Sequence, residues 1–590
     1  MVGEESGCTD WGGKCGLVSD HFRLNKFTDS EDPKFELVQK RICEFARGAH
    51  TRTSLIHDPH LARLLPGKDN AFFSKLWEDV PQCLEGTRVH LLREIRKWSL
   101  DPDGKCVYWL KGMAGSGKST VACTVSHEFH SSKECQLGAT FRFSRGHGDL
   151  GNAKNFFGAL AFQLARIPGL KKAISAAVAA NDDSVLGQSL REQWKCLIME
   201  PLAYLQHSLT QPLIIALVID AIDECESRDH ARQIFELLAE AKSLTTVRLR
   251  VFVTSRPEID RIPTDVQEAV QEYELHPDPK SDDIALFFEK KLGEIREKHE
   301  KDRHEQDERN SPIKDPLPAD WPGAGILERL VKKAEGLFIY AATVCRFIDN
   351  DDMHPTESLN YVLEVSPEDP LPLSHLDNIY KQVLKRSVDA DYSEKIKLQL
   401  SERFRLIIGS IAVLSDSLSA AALAKLLDVS LEKDVNLTLG RLRSVLSGGS
   451  RIRLLHTSFR DFLLDQRRCS DPQFQVNEKK IHADLANRCL KLLYHLEKDM
   501  CDLQLPGTLA SEVQKSKVEE DISLDLQYAC RYWVDHLKRS DICLHDNGNV
   551  HSFLQKHFLH WLEALSLMGK TSEGVLAITS LESIVMVSEP

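Results

Sequence analysis

An α/β domain built on a five-stranded parallel sheet, followed by largely helical regions, is the fold class that three features of the sequence predict. From Glu85 to about His276, short apolar runs alternate with helical stretches, as in a sheet whose strands are buried on both faces. The stretch Lys111–Thr120 (KGMAGSGKST) fills the spacing G-x-x-x-x-G-K-[ST] between one such apolar run and a Gly- and Pro-free helical stretch. Beyond Pro277, apolar residues recur mostly at helical spacing.

The elements follow in order. Strands are expected at Cys106–Leu110, Leu137–Phe143, Leu213–Ile219, Leu249–Thr254 and Val270–Leu275. Helices are expected at Ser119–Phe129, Ala153–Ile167, Leu190–Leu209 and Ala231–Ala241, giving a doubly wound domain over 85–276. Residues 1–84 begin polar and rich in Gly, Asp and Ser, with a short helix predicted at Phe35–Ala46 and no assignable function. A helical domain is predicted over 277–375. Within it the run Glu297–Pro322 is dense in charge and Pro and reads as an exposed insertion or linker. Residues 376–476 read as a winged-helix-like domain, because helices at Leu376–Leu384, Phe404–Leu427 (a pair) and Thr438–Leu446 precede a short strand at Arg451–His456 and a helix at Ser458–Leu464. A single helix is expected at Ile326–Ile348, and the C-terminal region 477–590 is helical, with amphipathic stretches at Ile481–Leu496, Leu524–Leu537 and Phe553–Met568. No internal period of 20 to 50 residues is present.

Composition narrows the function classes. The 590 residues are 42% hydrophobic, enough for real cores, and carry a formal charge of −13. That balance argues against general nucleic-acid or anionic-membrane binding, which needs clustered Lys and Arg. The 15 cysteines form no CxxC pair and no zinc spacing, and read as reduced thiols. With no secretory leader and no apolar run near the length of a membrane span, a cytoplasmic location is expected.

The chemistry centres on Gly112, Met113, Ala114, Gly115, Ser116, Gly117, Lys118, Ser119 and Thr120. Glycines let backbone N–H groups approach phosphate oxygens, and the following helix N-terminus adds its dipole. Lys118 supplies positive charge for the β- and γ-phosphates, and the Ser119 hydroxyl is a ligand for Mg²⁺. Asp220, ending the apolar run from Leu213, is the second expected metal-holding residue. Asp223 or Glu224 would polarise the attacking water, although Glu224 reads equally as the start of the next helix. Arg256, just past the strand ending at Thr254, is placed to meet γ-phosphate charge at the carboxyl edge of the sheet; Arg145 is a weaker candidate for the same face. The chain has no Asn-Lys-x-Asp guanine reader, so ATP/ADP is the default ligand and GTP stays open.

Together, Gly112–Ser119, Asp220-Ala221-Ile222-Asp223-Glu224 and Thr254-Ser255-Arg256-Pro257 resemble a NACHT-type NTPase of the STAND class of signal-transduction ATPases, found in NLR-like receptors, and most closely the large fungal set. Cys83–Arg88 resembles the lead-in that touches the base, Ala334–Tyr340 the helical-domain segment, and Leu455–Leu463 the winged-helix segment. Two departures stand out: Phe338 occupies the place where many relatives have a base-packing proline, and the sequence carries no repeat sensor. The resemblance implies a switch in which ADP holds the domains closed and ATP opens them into a self-associating form that signals to protein partners, in NLR-like defence or heterokaryon incompatibility. It also implies slow ATP hydrolysis and a contact from His456 to the β-phosphate; on spacing alone His456 reads equally as a core residue. The alternative is an interaction scaffold that keeps nucleotide for stability and does not turn over.

Overall fold

The computed structural model describes residues 58–64, 80–144 and, apart from short gaps, 151–588; Phe35–Ala46 and Arg145 lie outside the described residues. Five parallel strands, β1 (Val107–Gly112), β2 (Cys135–Arg142), β3 (Leu213–Asp220), β4 (Val247–Ser255) and β5 (Val270–Leu275), form one sheet of order β2-β3-β4-β1-β5. All five expected strands are present. Register pairs Lys111 with Ser255 and Arg142 with Asp220, so the carboxyl ends of β1 to β4 meet along one edge.

Alternation explains why the sheet sits where it does. Val107 and Trp109 of β1 enter one core, with Phe141, Phe156, Ile215, Leu217, Val251 and Val253. Tyr108 and Leu110 point to the opposite face, into a core with Val121, Val125, Val218 and Phe252. Strict period two on strands covered on both faces gives two buried layers. Each such apolar side chain contributes about 1.5–3 kcal/mol by leaving water.

A further core runs from Ile284 to Leu581 and takes in the helices after the sheet. It is continuous and reaches the sheet domain, because Met113 of the loop after β1 packs against it. Several sequence readings change here, among them the helix expected at Thr438–Leu446, which is Leu437–Arg441 because the chain turns there into a short strand that takes up Leu446. The charged run Glu297–Pro322 is not a free linker: its first part completes the helix Asp282–Glu308, and Leu317 and Trp321 beyond it are buried. Ile284, Phe288, Leu292 and Ile295 anchor one side of that helix, while the pairs Arg303–Glu300 (3.2 Å) and Lys298–Asp349 (2.9 Å) suit a charged outer side. The expected helix Ile326–Ile348 is two, Ala324–Ala334 and Phe338–Ile348, broken where Glu335 (φ 49°) and Gly336 (φ 79°) turn left-handed. The strand expected at Arg451–His456 shrinks to β7 (Arg453–Leu454), antiparallel to β6 (Leu446–Ser447). Helices Thr457–Leu464, Glu478–Leu493, Leu524–Arg539 and Asn549–Leu567 match the expected stretches, and Thr571–Ser588 adds a last one. Among the described residues no helix is long and apolar enough to cross a membrane.

Candidate nucleotide-binding site

The loop between β1 and the helix Lys118–Ser131 is shaped by glycine. Gly115 (φ 83°) and Gly117 (φ 93°) adopt left-handed backbone, which side-chain-bearing residues rarely adopt. A Cβ at Gly115 would also fall 2.0 Å from Ile339 Cγ2, so the position is closed to other residues. Lys118 Nζ donates to the carbonyls of Gly112 (2.7 Å) and Met113 (2.9 Å). Burial lowers its pKa, opposed by the nearby carboxylates of Asp223 and Asp220. Ser119 and Thr120 occupy the first turn of the helix, partly exposed. Arg88, which the sequence reading gave no separate role, donates to the Ser116 carbonyl at 2.9 Å.

Asp220 closes β3 and is fully buried. Its Oδ1 accepts from Thr254 Oγ1 at 2.6 Å, and Oδ2 lies 3.5 Å from Arg142 Nε. Among the described residues that Oδ2 has no hydrogen-bond partner, and neither has the buried Ser116 Oγ. Buried orphans of this kind are costly unless something else satisfies them. An acidic oxygen and a loop hydroxyl at the carboxyl edge of the sheet are the donor chemistry a hard cation and a phosphate require, so the residues fit Mg²⁺ and nucleotide.

After Asp220 the chain turns sharply through Ala221 (φ 55°) into the single 3₁₀ turn Ile222–Glu224. Thr254 Oγ1, accepting from Ala221 N–H at 2.9 Å, holds the turn in place. Glu224 belongs to this turn and not to the next helix, which starts at Arg228 with Ser227 as its cap. Asp223 accepts from the Arg256 backbone N–H (3.0 Å) and pairs with its Nε (3.3 Å).

The rest of the wall comes from beyond the sheet. Ile339 N–H donates to the Gly115 carbonyl at 3.1 Å, fixing the start of the Phe338–Ile348 helix on the loop. Phe338 lies beside Gly117, with the Arg88 guanidinium 5.0 Å over its ring and Phe287 edge-on at 5.8 Å. An aromatic ring and a guanidinium therefore stand where the sequence departs from proline.

His456 caps the helix Thr457–Leu464, its Nδ1 accepting from Ser458 N–H at 3.0 Å. Its Cε1 sits 3.9 Å from where a Gly115 Cβ would be. Burial, then the charges of Lys118, Arg256, Arg142 and Arg346, push its pKa down to about 3. It is a neutral ring against the loop. Arg256 crosses to the same helix: Nη1 pairs with Asp461 at 2.9 Å and Nη2 donates to Thr457 Oγ1 at 3.3 Å.

All the sequence-selected residues that are described thus gather around Lys118. Thr254, Arg142, Arg88 and Asp461 were missed as contributors. Thr254 sat in the quoted Thr-Ser-Arg-Pro run and was findable from its place at a strand end; Asp461 had no signal beyond the helix it rides on.

Residues 86–256 match the family model described as nephrocystin 3, N-terminal. Over 565 residues, 88% of the chain, the sequence is 25% identical to the vegetative incompatibility protein HET-E-1 of Podospora anserina. The chain spans 38% of that relative's length. A solved STAND protein with a tetratricopeptide repeat sensor from Pyrococcus horikoshii aligns over 83% of this chain and 59% of its own, at 15% identity and a TM-score of 0.37. The family match opens just ahead of Arg88 and closes on Arg256, enclosing the whole sheet-borne half of the site, and together with the HET-E-1 similarity it supports the resemblance to a NACHT-type P-loop NTPase of the STAND class.

Proposed function

We propose that this chain is a cytoplasmic nucleotide-dependent switch that binds ATP or ADP with Mg²⁺, hydrolyses ATP slowly, and controls its own self-association and signalling by which nucleotide it holds. Lys118 and the loop amides take the phosphates, Ser119 and Asp220 hold the metal, and Asp223 or Glu224 orients water. Bound Mg²⁺ supplies charge neutralisation on the phosphate oxygens. His456 offers a neutral donor from the far side, and Phe338 with Arg88 replaces the proline beside the base. Residues 277–375, 376–476 and 477–590 act as helical, winged-helix-like and C-terminal helical parts that the nucleotide ties to the sheet. The name of the HET-E-1 relative, a vegetative incompatibility protein, favours incompatibility signalling as the setting of the switch.

One observation carries the reading. Arg256, the residue at the edge of the sheet suited to a γ-phosphate, is held by Asp223 of its own domain and by Asp461 and Thr457 of the distant helix. That arrangement supports a closed state in which the arginine is engaged between domains, and a γ-phosphate would compete with Asp461 for it.

The test is the nucleotide that co-purifies with the full chain and with Lys118→Ala, followed by mass in solution after ATP is added. Wild type is expected to carry ADP and to gain mass with ATP, and the variant to do neither. A wild-type chain that carries no nucleotide and whose mass ignores ATP would contradict the switch. Retained nucleotide with no mass change and no turnover would favour the scaffold.

A further inference from the structure

His456 is not simply near the loop; a relay holds its ring. Ser458 Oγ lies 2.7 Å from His456 Nδ1, and Tyr380 OH lies 2.7 Å from the same Ser458 Oγ. The Ser458 backbone N–H points at Nδ1 as well, at 3.0 Å. A nitrogen that accepts from an N–H cannot itself carry a proton, so Nδ1 is the bare nitrogen and Nε2 carries the hydrogen. Ser458 Oγ then donates to Nδ1, and Tyr380 OH donates to Ser458. Tyr380 is buried at 1% exposure, on the helix Ser374–Ser387, with its ring against Phe459 (4.9 Å) and Phe462 (5.4 Å). It has no place in the site as drawn so far.

Charge around the relay points the same way. Lys118 from the loop, Arg142 and Arg256 from the ends of β2 and β4, and Arg346 from the Phe338–Ile348 helix all face His456, and the ring caps the positive end of its own helix. Near Tyr380 stand Asp377, Arg468 and Asp461. The acidic Asp377 is occupied by Arg468, at 2.7 Å. A positive charge on the ring would be opposed by the surrounding cations, whereas a neutral Nε2–H donor is compatible with all of them.

We propose that Tyr380 and Ser458 are positioning residues for the nucleotide: they lock His456 as the Nε2–H tautomer with its Cε1 edge toward Gly115, so that the chain presents a diphosphate with an uncharged donor. This rests on the nucleotide reading above. It also ties the helix Ser374–Ser387 to His456 through two hydrogen bonds.

The test is ADP affinity of the full chain in a double-mutant cycle of Tyr380→Phe with His456→Ala, with Lys118→Ala as the reference for nucleotide binding and thermal midpoints taken for every variant. Tyr380→Phe is expected to weaken ADP about fivefold, the worth of one hydrogen bond, and to change nothing further when His456 is already alanine. The fold-loss caused by Tyr380→Phe is expected to stay the same between about pH 5.5 and 8, because the Ser458 N–H still occupies Nδ1 and the surrounding cations keep the ring neutral. Ser458→Ala repeats the cycle without touching the buried ring. Equal losses in both backgrounds, or no loss with His456 intact, would overturn the relay while leaving the nucleotide reading in place. If wild type binds no ADP, or binds it no better than Lys118→Ala, the nucleotide reading falls and the relay with it.

Discussion

At the residue scale, the part Asp223 plays follows from what it touches. Asp223 is engaged twice by Arg256, through its backbone N–H and its Nε. Glu224 shares the same 3₁₀ turn and also lies within the electrostatic reach of Arg256. Asp223 is therefore bound to the state of Arg256, and frees its carboxylate only when the arginine moves. Single-turnover hydrolysis of Asp223→Asn and Glu224→Gln separates them: removal of the water-orienting group is expected to slow turnover at least tenfold, in line with the usual worth of a general base. Wild-type rates in both would remove the pair from catalysis. Thr254 is the matching structural prediction. Its hydroxyl serves Asp220 and Ala221 at once, so Thr254→Val leaves a buried carboxylate without its donor and is expected to cost about 1–3 kcal/mol in urea unfolding.

At the element scale, the helix Thr457–Leu464 is the moving part the account depends on, because His456 and Asp461 both ride on it. Asp461→Ala removes the distal anchor of Arg256 and is expected to lower the ATP concentration needed for mass gain by several-fold, since a partly exposed ion pair is worth about 1 kcal/mol. An unchanged ATP requirement would show that Asp461 does not hold the closed state. Much of this architecture was legible in the sequence. The strands and the loop could be read because alternation and the G-x-x-x-x-G-K-S spacing are local signals, and Asp220 followed from its place at a strand end. The convergence of Arg256 with Asp461, 205 positions later by their numbers (461 − 256), was not legible, since no local pattern records which distant helix meets the sheet edge. The helix break at Glu335-Gly336 was marked by its glycine and passed over. The helix through Glu308 was missed because a charged run was weighed by composition alone, while its apolar anchors lay upstream.

At the scale of the whole molecule, stability depends on a buried polar chain remote from the nucleotide. Ser415 N–H donates to Tyr528 OH (3.0 Å), Tyr528 OH is 2.7 Å from His536 Nε2, and His536 Nδ1 is 2.8 Å from His482 Nδ1. These residues join the helices Glu478–Leu493 and Leu524–Arg539 to the end of Glu394–Val413. Burial holds both imidazoles below the usual value, His482 at about 4 and His536 well below its ordinary range. A histidine that is harder to protonate folded than unfolded adds stability above its unfolded pKa, and loses it as pH falls toward the folded one. The window therefore runs from about pH 6.5 down to about 4, and His482 contributes up to roughly 3 kcal/mol across it. Urea midpoints of the full chain are expected to fall steadily through that range, and less steeply in His482→Asn. A flat profile in wild type would contradict the buried pair.

The central claim is that the nucleotide decides whether the helix Thr457–Leu464 stays docked on the sheet. Amide hydrogen exchange of that helix reads this directly, in wild type and in Lys118→Ala, with ADP and with a non-hydrolysable ATP analogue. The account predicts slow exchange with ADP, faster exchange with the analogue, and no nucleotide dependence in Lys118→Ala. Equal protection of the helix with both nucleotides in wild type would contradict it.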